Sequence, residues 1–305
     1  MNKFQFGQYL TLLVFLLMFN AGAYSECGDW GYAQMDFNKD CVVNIKDFAK
    51  FCEQWLVCSN PLEQNCQRLN KAKIAAHRGF SSIAPENTLA AFNLARGYAD
   101  MVELDVHSSA DGVLVVMHDA NVVRTTDGTG YIYNFTLAEL KQLDAGSSKS
   151  AAFAGERIPT LEESINAILP DMTPVIEQKG GTAQQYLDLL DAMGVRDKVI
   201  VISFTESFLL ALHAIAPDIE LGFLKSSALD DSKLVSLAVN GISIADISRK
   251  GTTQDNVNKI HSVGLKAWAW TVDGTADVQA EIGKGVMGIT SNNPQATRQV
   301  VEQYY

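Results

Sequence analysis

Cysteine is absent from residues 67–305, because all five cysteines of the chain lie between Cys27 and Cys66. The long segment without cysteine must therefore be stable through its own hydrophobic core. In the short segment, four of the five cysteines suffice for two disulfides, which are common in small exported domains that cannot bury enough apolar surface. The CxxC and Cys/His spacings that are typical of zinc sites are also lacking.

Positive charge is scarce, since 24 Lys and Arg residues stand against 35 Asp and Glu residues and give a formal net charge of -11. Nucleic acids and anionic membranes both bind clustered positive charge, so this balance argues against either of them as the main partner. A small phosphorylated ligand needs only a local group of cations and is compatible with an acidic protein.

Long hydrophobic runs are lacking except for Tyr9–Phe19, which is shorter than the ~20 apolar residues needed to span a bilayer. Lys3 precedes this run, and Ala21–Ala23 follows it with the pattern of a cleavage site. We therefore predict a signal peptide over residues 1–25, export to the periplasm or the exterior, and no stable membrane insertion after cleavage. An uncleaved membrane anchor is the alternative, and Glu26 argues against a lipoprotein site.

The remaining chain divides by composition into a Cys-rich module (residues 26–66), a polar linker (residues 67–72) and a large domain (residues 73–305). In the large domain, short runs rich in β-branched residues alternate with helical patterns, as in a parallel sheet covered by helices. Eight such units within roughly 230 residues favour a (β/α)8, or TIM, barrel over a doubly wound sheet. A turn-rich interval between Val106 and Leu161 predicts a small insertion after the second strand.

The predicted barrel strands are Ile74–Ala76, Met101–Val106, Thr173–Glu177, Val199–Ser203, Glu220–Phe223, Gly241–Ala245, Leu265–Thr271 and Val286–Ser291. The predicted helices are Thr88–Gly97, Leu161–Leu169, Ala183–Met193, Glu206–Ile215, Asp231–Val239, Gln254–Val263, Thr275–Gly283 and Pro294–Gln303.

Charged side chains recur at the ends of the first three predicted barrel strands. Glu103 and Asp105 are two residues apart and must point to the same face of their strand, as must Glu177 and Lys179 on the next one. Three carboxylates at one mouth of a barrel suit a hard cation such as Mg²⁺ or Ca²⁺. Nearby histidines suit acid–base chemistry, and cationic side chains suit a phosphate.

An ordered set of motifs in the large domain resembles the glycerophosphodiester phosphodiesterases. The set comprises Ile74–Gly79 (IAAHRG), Pro85–Thr88 (PENT), Glu103–Val106 (ELDV), Asp111–Gly112, Val115–Asp119 (VVMHD), Arg124–Thr126 (RTT), Leu137–Leu140 (LAEL), Leu143–Gly146 (LDAG), Ile158–Glu163 (IPTLEE) and Trp270–Val272 (WTV). The resemblance covers nearly all of the chain from Lys73 onward and implies a TIM barrel with one divalent cation. It also implies hydrolysis of glycerophosphodiesters to an alcohol and sn-glycerol 3-phosphate.

The same resemblance assigns a role to individual residues. The implied metal ligands are Glu103, Asp105 and Glu177, and the implied acid–base pair is His77 and His118. Arg78 and Lys179 would contact the phosphate. Glu86, paired with Arg78, and Asn87 would support the site. Trp270 would line the pocket, unless it is a core residue beside Trp268. The chain departs from the family at Ser291–Pro294, where the family has an acid and an aromatic residue. We expect this departure to alter outer substrate contacts and not the core chemistry.

The Cys-rich module contains oxygen-bearing side chains at the spacing of an EF-hand calcium loop, as in one half of a dockerin repeat. Positions 1, 3, 5, 9 and 12 of that loop are Asp36, Asn38, Asp40, Asn44 and Asp47. Position 6 is Cys41 where glycine is usual, and the sequence holds no second copy. We favour a Ca²⁺ site over a turn that binds nothing; a cohesin-like partner is a further expectation.

Two other functions compete with hydrolysis of glycerophosphodiesters. One is a phospholipase D-like lyase that acts on lysolipids and releases a cyclic phosphate. The other is a barrel without catalytic activity that binds a phosphorylated ligand, which the full set of charged residues disfavours.

Overall fold

A computed structural model describes residues 71–305 and the two-residue strands Ala23–Tyr24 and Val42–Val43, which pair antiparallel with each other. Apart from those four residues, the predicted signal peptide and the Cys-rich module lie outside the described residues, and so do residues 67–70 of the linker. The predicted calcium ligands Asp36, Asn38, Asp40, Asn44 and Asp47 are among them. The compact unit of residues 71–305 begins two residues before the predicted large domain, and its Ala72 is buried.

Eight parallel strands of this unit close into a barrel, because the first strand pairs with both the second and the last. The barrel strands are β1 (Lys73–His77), β2 (Met101–Ser108), β4 (Thr173–Gln178), β5 (Ile200–Ser203), β6 (Glu220–Lys225), β7 (Ile244–Ser248), β8 (Lys266–Trp270) and β9 (Gly288–Ser291). Strand β3 (Leu114–Val116) pairs antiparallel with the end of β2 and lies outside the barrel. The predicted TIM barrel is thereby confirmed.

A helix follows each barrel strand and covers the outside of the sheet. The α-helices are α1 (Leu89–Leu94), α2 (Leu137–Leu140), α3 (Leu161–Ile168), α4 (Ala183–Met193), α5 (Glu206–Ile215), α6 (Asp231–Val239), α7 (Gln254–Ser262), α8 (Thr275–Lys284) and α9 (Pro294–Tyr304). Most begin at a Thr, Asp or Asn whose side chain accepts a hydrogen bond from the first turn, for example Thr182 at α4. Within the described part of the chain, none of the helices has the length and apolar character to cross a bilayer.

One predicted strand is misplaced: the sequence predicts Gly241–Ala245, whereas β7 begins at Ile244 and ends at Ser248. Gly241 has a left-handed backbone (φ 78°) and belongs to the turn that ends α6, where the amide of Ile242 bonds back to Leu237. The predicted strand ended early because Asp246 interrupts the apolar run, although its side chain points into the barrel.

The barrel interior contains an apolar layer that is separate from the core beneath the helices. Its members are Ala75, Met101, Val175, Ile200, Ile202, Leu224, Ile244 and Trp268. Trp268 fits because residue 288 is glycine: a Cβ there would lie 2.5 Å from the indole ring. The polar side chains that follow toward the carboxyl ends therefore stand on a packed apolar floor.

The predicted insertion is present between β2 and α3 and includes β3, α2 and three short 3-10 helices. It has a small core of its own, formed by Val115, Met117, Val122, Ile132, Leu140, Ala145 and Ile158. Because this core fixes the chain after β3, His118 is placed beside the carboxyl end of the barrel.

Candidate active site

A cavity of about 190 Å³ opens at the carboxyl ends of the strands. Of the residues singled out in the sequence, those that line it are His77, Arg78, Glu103, His118, Glu177, Lys179 and Trp270. Asp105 is fully buried next to them, and Glu86 and Asn87 lie in the loop after β1. The fold thus assembles every predicted barrel site residue in one place.

The three predicted metal ligands converge inside the barrel. Glu103 and Asp105 point inward from β2, and Asp105 lies directly across from Glu177 of β4 in the strand register. One carboxylate oxygen of each residue lies within 4.8 Å of the others, and all three side chains are buried. The alternation of side chains along β2 is the reason that both of its acids face the same point.

Burial and mutual repulsion perturb the ionisation of these acids. Burial, together with the charges of Asp105 and Glu177, raises the pKa of Glu103 well above its usual range. Burial and the charge of Asp105 raise the pKa of Glu177 to about 7. Burial also opposes ionisation of Asp105, but the charges of Lys179 and Arg78 outweigh it and lower the pKa of that carboxyl.

This arrangement fits a divalent cation. Glu103 Oε1 is buried and has no hydrogen-bond partner among the described residues, although buried polar atoms are normally paired. Three oxygen ligands from carboxylates are typical of Mg²⁺ and Ca²⁺ sites, and a cation would remove the repulsion between them. The buried triad could therefore hold one divalent ion.

Two cationic side chains that line the cavity contact the acids. Arg78 Nε is 3.3 Å from Asp105 Oδ2, and Lys179 Nζ is 3.3 Å from Asp105 Oδ1 and 2.5 Å from Glu177 Oε1. Arg78 has a left-handed backbone (φ 56°), and its amide donates to Glu103 Oε2 at 2.9 Å. A non-glycine residue rarely adopts this conformation, and such strain is concentrated at functional sites.

Asn87 orients the most buried acid of the triad. Its Nδ2 donates to Asp105 Oδ2 at 2.9 Å, and its Oδ1 accepts from the Asp105 amide at 3.2 Å. Asn87 is also left-handed, with φ 57°. The loop after β1 thus keeps two strained residues, Arg78 and Asn87, in direct contact with the triad.

The protonation of His77 follows from its neighbours. Asp273 accepts hydrogen bonds from both the backbone amide and Nδ2 of Asn292, each at 2.7 Å. Asn292 must therefore direct Oδ1 toward His77 Nδ1, which lies 2.6 Å away and has to be the donor. In neutral His77 the free lone pair is then on Nε2, which lies 3.9 Å from Glu103.

Burial, assisted by the charge of Arg78, lowers the pKa of His77 and favours this neutral form. The expectation that residues 291–294 concern only outer substrate contacts is wrong, because Asn292 directly contacts the imidazole of His77. The error arose because sequence order does not reveal that closure of the barrel brings the turn after β9 against the end of β1.

His118 has a different partner, a carboxylate. Its Nδ1 lies 2.6 Å from Asp119 Oδ1, so Nδ1 carries a proton and Nε2 remains for the cavity. Arg124 bonds both Asp119 and Glu86, and the hydrogen bond from Arg124 holds the pKa of Asp119 well below its usual range. Glu86 also accepts from Arg78 at 2.9 Å, as expected from the sequence.

Arg124 also belongs to the site, although the sequence does not predict a role for it beyond its place in the motif Arg124–Thr126. Arg124 pairs with both Glu86 and Asp119. It thereby completes a series of ion pairs that runs from Arg78 to His118. The sequence does contain an indication of this role, because an arginine five residues after Asp119 is close enough in the chain to pair with that carboxylate.

The opposite wall of the cavity is largely apolar. Trp270 lines it, and its indole Nε1 donates to the backbone oxygen of Asp246 at 3.1 Å. Phe204 packs edge-on against Trp270 with ring centroids 5.6 Å apart. Trp268 lies in the barrel core, whereas Trp270 lines the cavity. Phe204 and Asp246 were not predicted to belong to the site.

Comparisons with known proteins agree with this geometry. A sequence profile described as the Glycerophosphoryl diester phosphodiesterase family matches residues 77–296. The glycerophosphodiester phosphodiesterase of Caldanaerobacter subterraneus subsp. tengcongensis is 35% identical over 241 residues, which are 76% of this chain and 99% of the relative.

Two solved structures show the same similarity. A phosphodiesterase from Oleispira antarctica, in complex with the product sn-glycerol-3-phosphate, has a TM-score of 0.72 and 32% identity over 77% of this chain and 99% of that one. A glycerophosphodiester phosphodiesterase from Agrobacterium tumefaciens has a TM-score of 0.67 and 31% identity over 75% of this chain and 99% of that one.

The triad predicts a cation-dependent gain in thermal stability. At a Mg²⁺ or Ca²⁺ concentration of about 100 times the Kd, the melting temperature of the wild-type protein should rise by about 5–10 °C relative to chelator. Glu103→Gln should abolish most of this shift. In chelator it should melt at or above the wild-type temperature, because one repelling charge is gone.

Glu302→Gln is the control, since Glu302 is an exposed acid on α9. This variant should retain the wild-type shift. A shift of equal size in Glu103→Gln would mean that the triad is not the binding site.

Proposed function

Because the chain belongs to the glycerophosphoryl diester phosphodiesterase family and is an enzyme of that class, we propose that it is an exported, cation-dependent hydrolase. The products are an alcohol and sn-glycerol 3-phosphate, which is the product bound to the Oleispira antarctica relative. The observation that supports this best is the convergence of His77, His118 and the acidic triad on one cavity.

Charge balance supports the requirement for a cation. When fully ionised, the three acids of the triad carry more formal negative charge than Arg78 and Lys179 offset. A divalent cation held by Glu103, Asp105 and Glu177 would offset this charge and, as a Lewis acid, would stabilise the negative charge that develops on the phosphoryl oxygens. Arg78 and Lys179 would then contact the phosphate from the side of the triad.

The histidines have complementary roles in an in-line displacement. His77, neutral and with its Nε2 lone pair free, takes a proton from the attacking water as the oxygen–phosphorus bond forms. His118 acts in its imidazolium form: Nδ1–H is bonded to Asp119, and Nε2–H gives its proton to the leaving alcohol as the phosphorus–oxygen ester bond breaks. The two proton transfers balance, because His77 gains one proton and His118 loses one.

Export rests on the composition of residues 1–25 and on the restriction of cysteine to the segment that follows them. The calcium loop Asp36–Asp47 rests on spacing alone. A mature amino terminus between residues 22 and 27, found by mass spectrometry of the protein outside the cytoplasm, is the result expected. Retention of Met1 in exported material would favour an uncleaved anchor.

The proposed activity predicts turnover of a panel of glycerophosphodiesters that stops in chelator and returns with Mg²⁺ or Ca²⁺. His118→Ala should lower kcat by about 10²–10⁴-fold, the usual contribution of a general acid. His261→Ala is the matched control, because His261 is exposed on α7 outside the cavity, and it should retain wild-type kcat.

Product analysis by ³¹P NMR separates the alternatives. Stable accumulation of a cyclic phosphate, with activity on micellar lysolipids, would replace hydrolysis with a lyase reaction. Lack of turnover on the whole panel, with His118→Ala indistinguishable from wild type, would leave a barrel that only binds its ligand.

The contact between Asn292 and His77 predicts a shift in the pH profile. Exchanging the two residues behind His77, as Asn292→Asp with Asp273→Asn, preserves the hydrogen bonds and the net charge but places the carboxylate against His77 Nδ1. This should raise the pKa of His77. Because the base must be unprotonated, the acid limb of kcat/KM should move to higher pH by about one unit.

The single variant Asp273→Asn shows whether the carboxylate at position 292 causes the shift of the acid limb. Asp273→Asn alone leaves an amide against His77 and should not move the acid limb to higher pH. An acid limb that stays in place in the double variant would contradict the role of His77 as the base.

A further inference from the structure

Asp246 is a buried carboxyl group for which the reaction at phosphorus has no use. It lies on β7 with 1% of its surface exposed, and it lines the active-site cavity. Its Oδ1 has no hydrogen-bond partner among the described residues. A buried carboxyl group that is not paired costs free energy of folding, so this position is destabilising unless a ligand supplies the partner.

The neighbours of Asp246 exclude a hidden ion pair. In the strand register it stands between Leu224 of β6 and Trp268 of β8, which are both apolar and point into the barrel. The cationic groups that line the cavity are already paired, Arg78 with Glu86 and Asp105, and Lys179 with Asp105 and Glu177. Asp246 therefore faces the cavity from a wall that is otherwise hydrophobic.

The chemistry of this position selects a neutral ligand group. Burial, with a further contribution from the charge of Glu177, raises the pKa of Asp246 well above its usual range and favours the protonated acid. A protonated carboxyl group donates one hydrogen bond through O–H and accepts others through its carbonyl oxygen. An alcohol hydroxyl does both as well, whereas an ammonium group only donates and a phosphate oxygen mainly accepts.

We infer that Asp246 binds a hydroxyl group of the glycerol moiety of the substrate and thereby selects glycerol esters over other phosphodiesters. The inference rests on the proposed function, since the phosphate must lie at the triad for one ester arm to reach β7. Leu224 and Trp270 would pack against the carbon atoms of that arm, and the indole is held in place by its bond to the Asp246 backbone oxygen.

The test pairs a change in the enzyme with the matching change in the substrate. We would measure kcat/KM of the wild type and Asp246→Leu on sn-glycero-3-phosphocholine and on propyl phosphocholine, which lacks both glycerol hydroxyls. The wild type should prefer the glycerol ester, and Asp246→Leu should reduce that preference by about tenfold or more. Asp246→Asn, whose amide both donates and accepts, should keep it within about threefold.

The outcomes separate this inference from the proposed function. If the wild type turns over neither diester nor any member of the glycerophosphodiester panel, both are overturned. If the wild type prefers the glycerol ester and Asp246→Leu keeps the full preference, only the role of Asp246 is overturned. Asp246→Ala gives the same comparison if leucine prevents folding, because alanine is smaller than the native side chain.

A matched control and a second measurement exclude a purely structural effect. Glu281 is another buried carboxyl with an unpaired oxygen, but it lies on α8 away from the cavity, and Glu281→Leu should not change the preference. Asp246→Leu should melt at or above the wild-type temperature, because an unpaired buried polar group is replaced by an apolar one. A large fall in melting temperature with unchanged preference would identify Asp246 as structural.

Discussion

Repulsion among Glu103, Asp105 and Glu177 is the interaction to which the rest of the site responds. Three carboxylates are buried within a few ångströms of one another, where the effective dielectric is low and like charges are costly. Arg78 and Lys179 reduce the repulsion, but two cations cannot balance three anions, and Glu103 Oε1 stays unpaired within the described structure. The triad therefore lowers the folding stability of the protein, and a bound cation would restore that stability.

The same charges connect elements that are distant in sequence. Arg78 contacts the triad and also Glu86, and Glu86 in turn binds Arg124 of the insertion. Through Asp119, Arg124 reaches His118, so the insertion is attached to the barrel mouth by ion pairs as well as by its own small core. The position of His118, the proposed general acid, thus depends through Arg124 and Glu86 on Arg78, which also contacts the predicted metal ligand Asp105.

The sequence predicted the barrel well because its strands are buried on both faces and its helices carry clear caps. It also predicted Glu103, Asp105 and Glu177, since the alternation of a strand is a local property that places acids two residues apart on one face. Asn292, Asp273 and Asp246 were missed for a common reason: each matters through a neighbour supplied by closure of the barrel. Asp246 even shortened the predicted strand, because a buried acid without a partner breaks the pattern that identifies a buried strand.

The two halves of the barrel differ in a way that orients the substrate. Strands β1, β2 and β4 supply the carboxylates, Arg78 and Lys179, whereas β5 to β8 supply Ile202, Leu224 and Trp270, with one acid at Asp246. A phosphodiester would place its charged centre over the first half, where Arg78, Lys179 and a cation at the triad would offset its charge, because the cavity-lining residues of the second half carry no positive charge. One ester arm must then lie along the apolar wall. On this proposal, the apolar wall and Asp246 determine the specificity for that arm, and a separate set of residues breaks the bond.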